Sequence, residues 1–204
     1  EKIDEAIQQF QSLTNSTEDK EKLSDIYHNI GNGFFVKKEL EKSIEAYKEA
    51  LRNDPDDDET RYNLIVAQKL RDKQKEKDSK ELANGIVESV VQIHKVMGPG
   101  LFESAYQKCI EQELINQGLK VTCSKQLPVF YNGIKIDAGY FLDMMVEDLV
   151  IIENKTVKKL TSTDEDELMT YLKFSGCVLG LLINWRTRLI KQGIKWIDNP
   201  WFKG

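Results

Sequence analysis

Three residues in the second half of the chain, Asp143, Glu153 and Lys155, have the types and spacing to hold a cation beside an ammonium group. The run Leu149-Val150-Ile151-Ile152-Glu153-Asn154-Lys155 opens with four apolar residues, as a strand buried on both faces does. It closes on two charged residues at i and i+2, and strand alternation puts both side chains on one face. Burying them at the end of a core strand is costly unless something pairs with them, so a structural ion pair is the plain explanation. Asp143, ten residues before Glu153 within the apolar stretch Phe141–Val146, weakens that explanation. A short turn at Glu147-Asp148 returns the chain, and counting back from it places Asp143 beside Glu153 across the ladder. Two carboxylates this close repel each other, which favours a shared divalent cation, and all-oxygen ligands select Mg²⁺ or Mn²⁺.

The elements that must position these residues are legible in the periodicity. Leu82–Met97 and Phe102–Gln117 read as helices separated by the Gly98-Pro99-Gly100 turn. Apolar, β-branched runs follow at Leu119–Cys123, Leu127–Tyr131, Ile134–Val146 and Leu149–Ile152, with a hairpin signal at Asn132-Gly133. A helix near Asp164–Phe174 and a strand at Val178–Ile183 close the unit. Two helices, then successive β runs, a helix and a final strand predict a mixed α/β layer rather than a dinucleotide-binding alternation.

The D-x9-E-x-K arrangement resembles the PD-(D/E)xK nucleases. A second motif, Gly100-Leu101-Phe102-Glu103-Ser104-Ala105-Tyr106, reads as G-x-x-E-x-x-Y and is similar to the GxxExxY proteins of that superfamily. The words Val96–Leu101 and Leu179–Asn184 agree with it, and the likeness covers about residues 82–198. It implies a restriction-endonuclease-like core that hydrolyses phosphodiester bonds in DNA with Mg²⁺ or Mn²⁺. Asp143 and Glu153 would hold the metal, with the Asn154 carbonyl as a further ligand, and Lys155 would orient or polarise the attacking water. Glu103 fits the helical glutamate that joins such sites; a helix N-terminal residue favoured by the macrodipole is the equal alternative. Tyr106, one turn later, is also consistent with a plain core aromatic. The family carries an apolar residue where this chain has Asn154, and Gln where it has Glu167, while Tyr171 keeps the family's tyrosine. Glu167 therefore adds a candidate metal ligand and Tyr171 a candidate catalytic group. The rival reading is a binding protein whose nuclease fold has lost activity.

Residues 1–72 read as all helix, with apolar positions at three- and four-residue spacing: Ile3, Ala6, Ile7, Phe10, then Ile26, Ile30, Phe34, then Leu40, Ile44, Tyr47. Tyr27, Ile30, Gly31, Phe34, then Ser43, Tyr47, Ala50 and Pro55 resemble the tetratricopeptide (TPR) signature, and the wording is similar to TPR segments of bacterial Bat-type proteins. Such a segment implies a protein or peptide partner. The charge run at 73–81 contains no Gly or Pro and predicts a helical spacer. The expected organisation is thus a TPR-like domain (1–72), a charged linker (73–81) and a nuclease-like domain (82–204), of class α + α/β.

Composition excludes several other classes. With 40% hydrophobic and 31% charged residues, the 204-residue chain is ordinary for a globular protein. The chain shows no apolar run long enough to span a bilayer, so no membrane partner is expected. It begins at Glu1 rather than Met, as a fragment or processed chain would. A net charge of −5 argues against broad attraction to nucleic acid, though a bound cation reverses the field locally. Three scattered cysteines and two histidines do not make the pattern of a structural zinc site and point to reduced thiols in the cytoplasm. No serine stands in a G-x-S-x-G context, and Gly31-Asn32-Gly33 lacks the rest of a phosphate-binding loop.

Overall fold

In the computed structural model, which describes residues 2–136 and 139–202, the helical periodicities become four helices: α1 (Lys2–Leu13), α2 (Lys20–Val36), α3 (Leu40–Asn53) and α4 (Asp58–Met97). Asp19 caps α2 by accepting from the Glu21 amide at 3.1 Å. Gly31 faces the Tyr47 ring so closely that a Cβ there would lie 2.5 Å from it, which explains why α2 and α3 need glycine at their crossing. The same contact is polar at its edges: Ser43 Oγ donates to the Gly31 carbonyl at 2.9 Å, and Tyr47 Oη to Asn32 Oδ1 at 2.7 Å. Ile44, Tyr47 and Ala67 form the small core, with Phe35 and Leu64 against it.

The chain divides into two compact units, 1–74 and 75–203. The helical spacer expected over 73–81 and the helix expected from Leu82 are parts of one continuous element. One 40-residue helix, α4, runs through the whole charge run. The run offers nothing to stop it, since neither Gly nor Pro occurs between Asp56 and Ala83.

In the second unit, helix α5 (Glu103–Asn116) precedes β1 (Val121–Gln126), β2 (Val129–Tyr131), β3 (Ile134–Ile136), β4 (Phe141–Val146) and β5 (Val150–Lys155). Helix α6 (Ser162–Ser175), strand β6 (Leu179–Asn184), a 3-10 turn (Ile190–Gly193) and β7 (Ile194–Asp198) complete it. The described residues form a five-stranded sheet ordered β1-β4-β5-β6-β7 and a separate β2–β3 hairpin. Among the described residues, β5 and β6 alone pair in parallel, joined by α6. Thr161 and Asp164 close a capping box at the start of α6. Ala83, Ile86 and Val90 of α4 and Tyr106, Ile110 and Leu114 of α5 cluster with one sheet face. Leu168, Tyr171 and Leu172 of α6 cluster with the other, where Gly180 admits Leu168. The class is α + α/β, with TPR-like helices before a restriction-endonuclease-like core.

Two expectations are corrected. The run Ile134–Val146 is not one strand: Gly139, at φ 65°, turns the chain between β3 and β4. Asp137 and Ala138 of that run lie outside the described residues. Strand β7 was not anticipated, because Ile194-Lys195-Trp196-Ile197 is short and partly exposed, so its pattern is weak. Among the described residues no helix is long and apolar enough to cross a membrane.

Candidate active site

Strands β4 and β5 are joined through Glu147 and Asp148, both in left-handed backbone at φ 51° and 54°. This tight return pairs Val146 with Val150 and Met144 with Ile152, where the ladder ends, and the same register carries Asp143 to within reach of the Glu153 charge. Both carboxylates and Lys155 fall on the sheet face covered by α6, because their strand positions share parity. Asp143 Oδ2 accepts from the Asn154 amide at 2.9 Å, and the Asp143 carbonyl accepts from Gln107 Nε2 at 2.9 Å. Lys155 Nζ lies 2.9 Å from Glu153 Oε1 and 2.8 Å from Glu167 Oε2. Tyr171 Oη donates to the other Glu167 oxygen at 2.9 Å. A continuous polar chain therefore runs Glu153, Lys155, Glu167, Tyr171.

Glu103, at the first turn of α5, takes a different partner. Its Oε1 accepts from the Thr156 amide at 2.6 Å and from Thr156 Oγ1 at 3.1 Å, which ties α5 to the chain just past β5. Asn154 faces away, as the alternation requires. It is 2% exposed, and its Oδ1 accepts from Trp185 Nε1 at 2.9 Å, while its Nδ2 has no hydrogen-bond partner among the described residues. Trp185 stacks on Tyr106, with ring centroids 4.1 Å apart. Tyr106 Oη in turn donates to the Gly98 carbonyl and accepts from the Leu101 amide at 3.2 Å. Tyr106 is a fully buried core aromatic whose hydroxyl holds the turn that delivers Glu103. Thr156, Gln107 and Trp185 were not singled out in the sequence; their types carry no motif, and only the packing shows their contacts.

The electrostatics follow from burial. Glu153 is 4% exposed, and its pKa is pushed up to about 7 by desolvation and by the Asp143 charge, against the opposing pull of Lys155. Burial also raises Asp143, and Glu103 adds to that, although the Asn154 amide and Lys155 act in the other direction. Desolvation alone would lower Lys155, but its bonds to Glu167 and Glu153 prevail and hold its ammonium above the usual range. Burial, then the bond to Glu167, raises Tyr171.

One buried oxygen, Glu153 Oε2, has no partner among the described residues. A family model for the PD-(D/E)XK nuclease superfamily matches residues 80–197, a span that holds every one of these groups. The chain belongs to the PD-(D/E)XK nuclease superfamily. A TPR-repeat model matches residues 31–69 in the helical unit. No curated protein and no solved structure matches the chain. Members of this superfamily typically use divalent metal ions. Among the described residues, no group of three or more Asp, Glu, His or Cys side chains converges on one point. The carboxylates that could hold an oxygen-seeking cation are Asp143 and Glu153. An orphaned buried oxygen and two raised carboxyl pKa values are what a site short of positive charge displays. Glu103 and Glu167 stand close by with their oxygens engaged by Thr156, Lys155 and Tyr171.

Proposed function

We propose that the nuclease-superfamily unit hydrolyses phosphodiester bonds in DNA with Mg²⁺ or Mn²⁺, while the TPR-like unit recruits a protein or peptide partner. The observation that carries the reading is Glu153 Oε2, buried and unpaired near the end of a core strand and within reach of the Asp143 charge. Asp143 and Glu153 would hold the cation, with the Asn154 carbonyl and Glu103 as further oxygens. Bound there, it would act as a Lewis acid toward the phosphoryl group and ease ionisation of the attacking water. The Lys155 ammonium, kept charged by Glu153 and Glu167, would orient that water and offset charge developing on the phosphate. Tyr171 would hold Glu167 in the orientation that grips Lys155.

The test is cleavage of single- and double-stranded DNA with Mg²⁺ or Mn²⁺. Asp143→Asn and Glu153→Gln should each abolish cleavage and leave the metal-free fold as stable or more stable, since each removes a repelling charge. A wild-type chain that degrades neither substrate with either ion sinks the proposal.

One observation favours a second reading, a binding protein with a degenerate site: Glu167 stands where the family carries Gln and is already paired with Lys155. Calorimetric titration of the intact chain with Mg²⁺ and Mn²⁺ separates the two. Absence of saturable binding would support the degenerate site.

A further inference from the structure

Strands β5 and β6 run parallel, so the loops that leave their C-terminal ends lie side by side next to Lys155. Two hydrogen bonds stitch them together and a third braces the second loop. Asn184 Nδ2 donates to the Val157 carbonyl at 2.9 Å, the Trp185 amide to the Lys155 carbonyl at 2.9 Å, and the Arg186 amide to Asn184 Oδ1 at 3.2 Å. The second loop is packed tightly, for a Cβ at Gly193 would overlap Thr187 and the Asn184 carbonyl.

The charge on these loops is one-sided. Between Asn154 and Thr163, and again between Gly176 and Ile197, the chain has no Asp or Glu, although the whole carries a net charge of −5. The loops present Lys158, Lys159, Arg186, Arg188 and Lys191, all exposed. Many lysines and arginines elsewhere are engaged with carboxylates: Lys42 with Glu39, Arg61 with Asp58, Lys120 with Asp148. None of these five makes an ion pair among the described residues. Unpaired cations on two adjoining, well-supported loops are what a polyanion needs.

Arg188 and Lys191 also border a pocket of about 330 Å³, floored by Val91, Leu189 and Ile190 and walled by His94. Leu189 is 64% exposed, and the buried His94 Nε2 has no hydrogen-bond partner among the described residues. An apolar recess at the end of a cationic track suits a nucleobase that is not already stacked in a duplex.

We infer that a single nucleic-acid strand crosses the ends of β5 and β6, its phosphates on Lys158, Lys159, Arg186, Arg188 and Lys191, and lodges an unpaired base in the pocket beside His94. This inference rests on the phosphodiester reading and adds the substrate class, an unpaired strand. The test is fluorescence anisotropy of the intact chain with a labelled single strand and with a duplex of equal length, in EDTA and again with Ca²⁺, across a salt series. Wild type should prefer the single strand. The triple variant Arg186→Gln/Arg188→Gln/Lys191→Gln should flatten the slope of log K against log salt by about 2, at roughly 0.7 per phosphate contact on a single strand. Lys20→Gln/Lys38→Gln/Lys69→Gln, which changes three cations of the TPR-like unit, should leave the slope unchanged. Leu189→Ala should narrow the preference for an intact strand over one carrying an abasic site. An unchanged slope in the Arg186/Arg188/Lys191 variant overturns the path. A duplex bound as tightly as the single strand overturns the base pocket. If wild type binds neither nucleic acid, the phosphodiester reading falls along with the inference.

Discussion

Glu153 sits where two tendencies conflict: a strand rich in Val and Ile seeks the core, and a carboxylate seeks water. The conflict raises its pKa from 4.5 to about 7. A carboxyl raised in the folded state binds more protons folded than unfolded between those two values. Stability of the metal-free chain should therefore fall as pH rises through that window, by at most on the order of 3 kcal/mol. Urea midpoints measured in EDTA across this range check the sign, and Glu153→Gln should flatten the profile. Added Mg²⁺ should restore stability at the upper end. A profile identical in wild type and variant would place the titration elsewhere. Glu167 makes the second residue-scale prediction. It holds Lys155 at 2.8 Å and Tyr171 at 2.9 Å, so Glu167→Gln should loosen both and remove a negative charge near the carboxylate pair. Phosphate approach should ease while cation affinity weakens, moving activity toward higher Mg²⁺ concentration. Superimposable rate curves against Mg²⁺ would make Glu167 a bystander.

At the scale of elements, two glycines set how closely helices approach their neighbours. Gly31 lets α3 bring Tyr47 against α2, and Gly180 lets α6 bring Leu168 against β6. Gly31→Leu must displace the Tyr47 ring and break the Tyr47–Asn32 bond, and overpacking of this kind costs about 1–3 kcal/mol. Thermal melts followed by circular dichroism should show an earlier transition for the helical unit, with the sheet unit little changed. A melt like that of wild type would mean the two helices separate without strain. The Gly180 contact explains how α6, beginning at a capping box after β5, crosses the sheet with Glu167 facing Lys155.

At the scale of the whole molecule, α4 belongs by its contacts to both units, and their division at Gln74/Lys75 falls within it. The part from Lys75 onward supplies Ala83, Ile86 and Val90 to the core of the nuclease-superfamily unit, all fully buried. A chain cut to start at Lys75 should therefore fold and melt cooperatively. One cut to start at Val91 should not, because losing a single buried Ile side chain already costs about 2–5 kcal/mol. Dichroism and denaturant titration of the two fragments decide the matter; a stable fold from Val91 would show that α4 is dispensable to the sheet.

What the sequence determined by itself was local. Period-2 alternation put Glu153 and Lys155 on one face, and the short Glu147-Asp148 return carried Asp143 toward Glu153, because both follow from backbone geometry within a few residues. The TPR spacing likewise placed Gly31 against Tyr47, since helix packing repeats every three to four residues. Only the tertiary structure decided where the other charges went. Glu103 reaches Thr156 across 53 positions, and Asn154 meets Trp185 across 31, because α5 and β6 are docked by an apolar core that no motif encodes. The pairing of the β5 and β6 ends, and with it the cationic loops beside Lys155, is of the same kind. Parallel pairing is a long-range contact, set by how α6 covers the sheet rather than by any residue's neighbours in the chain.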